Sequence, residues 1–141
     1  MTTVAWDGRM LAADRMAQAG WAYPVTKIFS TRYKGSDAFL AISGDLEEGI
    51  AVKEWIDDGM HSCDKPSVNK DSFAALLLTK DGVFRMESRL VLWPVEAPHA
   101  LGSGRDFAVM AMHLGKSADE AVVLAGEFDC NTGMGVSTAK L

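Results

Sequence analysis

Cysteine is nearly absent from this chain. Cys63 and Cys130 are its two, too few for a disulfide framework, so a reducing compartment, the cytoplasm, is the expected setting. No apolar run is long enough to span a bilayer, so no membrane association is expected. Cations are in the minority, with 14 Lys and Arg against 19 Asp and Glu for a net charge of −5. No basic stripe gathers them, which argues against nucleic acid as a partner, because phosphate contact needs clustered Lys and Arg. The start, Met1-Thr2-Thr3-Val4, lacks the basic and apolar regions of a secretory leader, so only the initiator is expected to be removed ahead of Thr2. Internal repeats and low-complexity tracts are missing too. What remains is ordinary in composition, 141 residues with 48% hydrophobic and 23% charged, and is expected to form one domain over 1–141.

Local patterns then suggest the elements. Thr2 to Trp6 is β-rich, Asp7-Gly8 marks a hairpin turn, and Met10 to Ala13 returns, with Asp14 at its end. Val25 to Tyr33 alternates as a strand, with Val25, Lys27 and Phe29 on one face. Lys34-Gly35-Ser36 reads as a turn, and Ala38 to Ile42 as a buried strand. Asp45 with Glu48 predicts a capping box for a helix whose face carries Leu46, Gly49, Ile50, Trp55 and Ile56, stopped by Gly59. Met60 to Asp71 reads as a loop, and Phe73 to Glu87 as a hairpin about Lys80-Asp81-Gly82. Leu90 to Trp93 and His99 to Leu101 are short strand candidates. Two helices follow, one with Phe107, Met110, Ala111 and Leu114 at helical spacing, the other opened by Ser117 and Glu120 and carrying Ala121, Leu124, Ala125 and Phe128. A final strand is expected after Asp129. This order predicts an α+β fold of two mostly antiparallel sheets with helices on the outside.

Several residue groups invite chemical readings with bland alternatives beside them. A threonine hydroxyl is a poor nucleophile unless a base takes its proton. A terminal threonine carries its own base, an α-amine whose ordinary pKa of about 7.7–8.0 leaves a neutral fraction near neutral pH. Thr2 gains that amine only when Met1 is removed. Asp14 also reads as a hairpin-end residue and Lys27 as a solvated strand charge, although a lysine sharing a face with Val25 and Phe29 suits a paired, partly buried cation. Gly102-Ser103-Gly104 could cradle a phosphate at a helix N-terminus, but it lacks the lysine of a P-loop and the third glycine of a dinucleotide fingerprint. A tight strand-to-helix turn is its plainer reading. His61-Ser62-Cys63-Asp64 has no second ligand pair at supporting spacing, so no metal or other cofactor is expected. Cys130 reads as a small buried residue; a Cys–His nucleophile pair has no local signature. His99 and His113 stand alone, and the Met and Trp residues read as core and interface filler.

Taken in order, the short motifs resemble one family. Thr2-Thr3-Val4, the Asp-Gly hairpin and Leu11-Ala12-Ala13-Asp14 look like the opening of proteasome β-type subunits, most of all the bacterial proteasome-like peptidase HslV. Val25-Thr26-Lys27-Ile28-Phe29 resembles the strand carrying that family's catalytic lysine. Ser43-Gly44-Asp45 resembles its oxyanion-hole turn, Leu101-Gly102-Ser103-Gly104 its Gly-Ser-Gly, and Asp129-Cys130-Asn131-Thr132-Gly133 its Asp-x-x-Ser/Thr-Gly element. The matches cover nearly the whole chain. The Thr2-to-Asp14 spacing is shorter than the family's, and the Lys27-to-Gly44 spacing longer.

The resemblance implies an N-terminal nucleophile (Ntn) hydrolase fold, a four-layer αββα sandwich. It also implies a threonine peptidase acting on polypeptide, in a homo-oligomeric ring with an AAA+ unfoldase as possible partner. Thr2 would supply the attacking oxygen and the amine. Lys27 would favour the deprotonated oxygen, and Asp14 would hold Lys27. The Gly44 N–H would receive the oxyanion. Ser103 would lie near the terminal amine, with Asp129 and Thr132 supporting it. Two alternatives stay open: a non-catalytic assembly or scaffold subunit that keeps Met1, and an Ntn amidase acting on a small amide.

Overall fold

The computed structural model describes residues 2–141. Alternation along two pairs of strands organises it. In β1 (Thr3–Trp6) and β2 (Leu11–Asp14), Val4, Leu11 and Ala13 face one way while Ala5 and Ala12 face the other. In β6 (Ser36–Ser43) and β7 (Ala74–Thr79), Ala38, Leu40, Ile42, Ala75 and Leu77 face one way while Ala41, Leu76 and Leu78 face the other. A strand sends successive side chains to opposite faces, so strands this apolar need cover on both sides.

The cover on one side of β6 and β7 is α1 (Leu46–Asp57), whose Val52, Trp55 and Ile56 join that cluster. On the outer side of β1 and β2 lie α2 (Arg105–His113) and α3 (Ala118–Phe128), contributing Ala108, Ala111, Ala121, Val122 and Ala125. Between the two sheets, Val4, Leu11, Leu76, Leu78 and Leu101 share a third cluster. Alanines dominate the α2–α3 cluster, so the helices lie close on the sheet.

The four-stranded sheet has the order β10–β1–β2–β11, with β10 at His99–Gly102 and β11 at Val136–Ala139. The five-stranded sheet runs β5–β6–β7–β8–β9, with β5 at Ile28–Tyr33, β8 at Gly82–Met86 and β9 at Trp93–Val95. A small hairpin joins β3 (Met16–Gln18) to β4 (Ala22–Pro24). Among the described residues the strand pairings are antiparallel. The chain is therefore a mixed α/β fold of antiparallel sheets and helices.

Several local expectations need correction. Val25 to Lys27 is not strand; β5 starts at Ile28, because Val25 N–H donates back to the Arg15 carbonyl as the β3–β4 hairpin closes (2.7 Å). The Asp45–Glu48 box is half made. Asp45 accepts from Glu48 N–H (3.1 Å), but the Glu48 carboxylate turns to Asn69 N–H (2.8 Å). A 3-10 turn, Ser62–Asp64, interrupts the Met60–Asp71 loop. The strand expected at Leu90–Trp93 instead begins at Trp93. On α2 the apolar stripe points outward: Phe107, Met110 and Leu114 are exposed, whereas Ala108, Ala111 and Met112 are buried. Phe128 and Ile50 are exposed as well. Cys130, expected inside, is exposed, since it follows the last turn of α3. Trp21, at the tip of the small hairpin, is exposed and so is no core filler.

Candidate functional site

Strand ends converge at one edge of the two sheets. Thr2 directly precedes β1, and Thr3 pairs with Gly102 at the end of β10. Asp14 closes β2, the other neighbour of β1, so its carboxylate reaches Thr3 N–H at 3.0 Å. Lys27 stands just before β5, and its carbonyl accepts from Ile42 N–H (3.0 Å), which holds it beside the end of β6. Ser43-Gly44 follows there, before α1. From the far side, the end of α3 delivers Asp129 and Thr132.

At the hydroxyl of Thr2 the arrangement is charged and dry. Lys27 Nζ donates to Thr2 Oγ1 at 3.0 Å and to Asp14 Oδ1 at 2.8 Å. Lys27 is 5% exposed, Asp14 0% and Thr2 2%, so water screens these contacts little. Backbone donors fix Asp14 further: Met16 N–H (3.2 Å) and Gly133 N–H (3.1 Å) bind its second oxygen. Burial holds the Lys27 ammonium below its usual pKa, against the opposing pull of Asp14 and of the Asp129 charge.

At the nitrogen of Thr2 the groups are mostly hydroxyls. Thr2 N–H donates to Ser103 Oγ (3.2 Å), and Ser103 Oγ donates to Asp129 Oδ2 (2.6 Å). Thr132 Oγ1 donates to the same oxygen (2.7 Å), and Asn131 N–H to the other (3.2 Å). Partial burial alone would raise the Asp129 pKa, but the donors from Ser103, Thr132 and Asn131 outweigh it and hold it low. The carboxylate is therefore ionised at neutral pH.

Two glycines make room for this geometry. A side chain on Gly102 would overlap the Thr2 carbonyl, and its φ of +92° disfavours one in any case. A side chain on Gly104 would overlap the Thr3 hydroxyl. Gly102-Ser103-Gly104 is thus a cradle for the Thr2–Thr3 backbone, with the Gly104 N–H on the Thr2 carbonyl (3.3 Å).

A cleft of roughly 650 Å³ opens onto Thr2 and Lys27 and is lined by Gly44, Asn131 and, from the small hairpin, Met16, Ala17 and Tyr23. The structure brings Thr2, Asp14, Lys27, Ser103, Asp129 and Thr132 into one hydrogen-bonded group and puts Gly44 on the wall of the same cleft. Sequence reasoning missed Thr3 and the β3–β4 hairpin. The missed signal for Thr3 was its place at the head of the buried strand β1, where a polar side chain must find a partner, although nothing local says which.

No family model and no curated protein matches the sequence. Solved structures do match. BPH of Thiobacillus denitrificans, in complex with epoxomicin, superposes with a TM-score of 0.70 at 17% identity, over 99% of this chain and 97% of that one. HslV from Trypanosoma brucei gives 0.70 at 14% identity, over 99% and 98%. Anbu from Hyphomicrobium sp. strain MC1 gives 0.68 at 12% identity, over 100% and 82%. This chain has the HslV and proteasome-like Ntn fold. In that fold Thr2 directly precedes the first strand and lines the cleft. Among the described residues no cluster of His, Cys, Asp and Glu suited to a metal ion occurs, and His61, Cys63 and Asp64 stay at the surface. Nor is any helix long and apolar enough to cross a membrane.

Proposed function

We propose that this protein is an N-terminal threonine peptidase whose nucleophile is Thr2, exposed as a free terminus by removal of Met1. The observation that carries the reading is the buried Lys27 ammonium, 3.0 Å from Thr2 Oγ1 and paired with Asp14 at 2.8 Å. A cation there favours the alkoxide over the alcohol and the neutral amine over the ammonium.

The steps follow. The neutral α-amine takes the Thr2 hydroxyl proton as Oγ1 attacks a peptide carbonyl. The tetrahedral oxyanion forms against the Gly44 N–H, a donor fixed before the charge develops. The protonated amine passes its proton to the leaving nitrogen, the C–N bond breaks, and an ester remains on Thr2. Water, deprotonated by the same amine, attacks that ester; the C–O bond to Thr2 breaks, the amine returns the proton to Oγ1, and the acid leaves. Ser103, Asp129 and Thr132 keep the amine facing the hydroxyl.

The substrate in this reading is a polypeptide lying extended along the cleft, against the β3–β4 hairpin. The four-layer αββα arrangement is supported by the three apolar clusters described above. A homo-oligomeric ring in the cytoplasm, fed by an AAA+ unfoldase, also belongs to the proposal. The likeness to HslV and Anbu supports the ring, as does the exposed apolar stripe of Phe107, Met110, Leu114 and Phe128.

The test is intact-mass and peptide-mapping analysis after treatment with a peptide epoxyketone. One adduct on a Thr2 that begins the chain is the expected result. Retained Met1 with no adduct sinks the reading and leaves a non-catalytic subunit. An adduct with turnover of small amides but no peptides points to an amidase.

A further inference from the structure

Thr3 is a polar side chain with 0% exposure, and the mechanism above leaves it without a role. Its Oγ1 lies 2.7 Å from Thr132 Oγ1, and Thr132 Oγ1 lies 2.7 Å from Asp129 Oδ2. An ionised carboxylate can only accept, so the single hydroxyl proton of Thr132 goes to Asp129. The proton between the two threonines therefore belongs to Thr3. Ser103 donates to the same carboxylate oxygen from the other side (2.6 Å) while its own oxygen faces Thr2 nitrogen (3.2 Å). One oxygen of Asp129 thus anchors two chains of donors. One ends at the nitrogen of residue 2, the other at the side chain of residue 3.

Gly104 gives the second, independent sign. A Cβ there would overlap Thr3 Oγ1 and come within 3.1 Å of Thr132 Oγ1, so the helix start is shaped around this pair of hydroxyls. Thr3 N–H is also held by Asp14 (3.0 Å). Thr3 is therefore linked to both charged arms of the site, to Asp14 directly through its backbone N–H and to Asp129 through its side chain by way of Thr132.

We propose that Thr3 is a positioning residue of the hydrolase, its hydroxyl acting through Thr132 and Asp129 to hold Ser103 and the Thr2 amine in working register. The inference rests on the proposed Thr2 chemistry. Its physical basis is that hydroxyl chains polarise one another. Thr132 is a stronger donor to Asp129 while it accepts from Thr3. Without that, Asp129 presents more uncompensated negative charge to the terminal amine, which favours the ammonium, a form that cannot act as base.

The experiment uses full-length protein prepared with Thr2 as first residue, comparing Thr3→Val and Thr3→Ser with the unaltered chain. Two readouts are needed: kcat and KM for a fluorogenic peptide across pH, and titration of the Thr2 amine followed by NMR. Thr3→Val is expected to lower kcat about tenfold with KM within about twofold. The acid limb of its pH profile and its amine titration should both move up by roughly half a unit. Thr3→Ser keeps the hydroxyl and should restore both. A Val variant with unmoved kcat and titration overturns the proposal, and so does a Ser variant as poor as Val, which would mark a role for the methyl group. If Thr3→Val does not fold, Thr132→Val breaks the same chain one step on and must show the same upward shift; an unmoved titration there overturns the proposal as well. The amine titration needs no turnover. An inactive unaltered protein would therefore sink the peptidase reading while Thr3 is still judged.

Discussion

The two arms that meet at Thr2 are built differently. The oxygen arm, Lys27 and Asp14, is a buried ion pair braced by backbone N–H groups. The nitrogen arm, Ser103, Asp129 and Thr132, is a cluster of hydroxyls on one partly exposed carboxylate. Enclosure makes every change in the first arm costly to the fold as well as to chemistry. Partial exposure lets the second arm be altered with the fold intact. In the proposed mechanism the first arm sets the charge of the nucleophile, and the second sets the aim of its base.

The sharpest way to break this comparison is Lys27→Met. It removes the cation and strands Asp14 as a buried charge. Turnover should fall by about 10³-fold or more. Stability should fall by about 3–5 kcal/mol, the usual result of removing one member of a buried pair. Peptide kinetics and urea unfolding measure the two separately. Adding Asp14→Leu should recover most of the stability and none of the activity. If the double variant recovers activity, the ion pair serves the fold alone. The direction of the Lys27 shift adds a pH test. Lys27 is charged only below its lowered pKa, so the alkaline limb of kcat/KM should begin below 10.5. Lys27→Arg should abolish that limb while keeping little activity, because a guanidinium stays charged throughout.

The nitrogen arm should respond less. Ser103→Ala or Asp129→Asn each weaken a charge-assisted hydrogen bond and should lower kcat by about 10- to 100-fold, with urea midpoints lowered far less than by Lys27→Met. Losses as large as those of Lys27→Met would erase the distinction between the arms.

Much of this site can be read in the chain because it is made at strand ends, where motif order survives. Asp14 after Leu11-Ala12-Ala13, Gly44 after a buried run and Ser103 between two glycines each mark the end of an apolar stretch. What stays hidden depends on packing between elements distant in sequence. An apolar stripe at helical spacing does not say which face is buried. On α2 the alanine face wins: Ala108 and Ala111 pack with Ala5 and Ala12 of β1 and β2, and Phe107, Met110 and Leu114 are turned out. The Thr3–Thr132 bond joins residues far apart in the chain, and no local pattern announces it. Cys130 looks like a buried residue by type, but its place after the last turn of α3 exposes it.

The acid side of the stability curve gives a smaller effect that belongs to the nitrogen arm. The folded-state pKa of Asp129 is depressed, so its contribution is present above the unfolded-state value of about 3.9 and is lost as pH falls through the folded value. Asp129→Asn should therefore narrow the gap between urea midpoints at neutral and strongly acid pH. An unchanged gap would mean that the Ser103 and Thr132 donors add no net stability.

The smallest effect tests whether the nitrogen arm depends on the far end of its helix. α3 starts at a capping box, with Ser117 and Glu120 satisfying each other's ends, and Asp7 holds the Ala118 N–H at 2.8 Å. Ser117→Ala removes one cap and leaves the Asp7 contact, so a loss of about 1 kcal/mol is expected. The helix then runs Ala118–Phe128 before delivering Asp129. Its buried face of Ala118, Ala121, Val122 and Ala125 is pinned to the sheet along that length. Fraying at the first turn should stop there, and kcat should not change. If kcat drops along with stability, order at the start of α3 reaches Asp129. The nitrogen arm would then be only as firm as a surface cap at the other end of the helix, whereas the oxygen arm rests on the sheet itself.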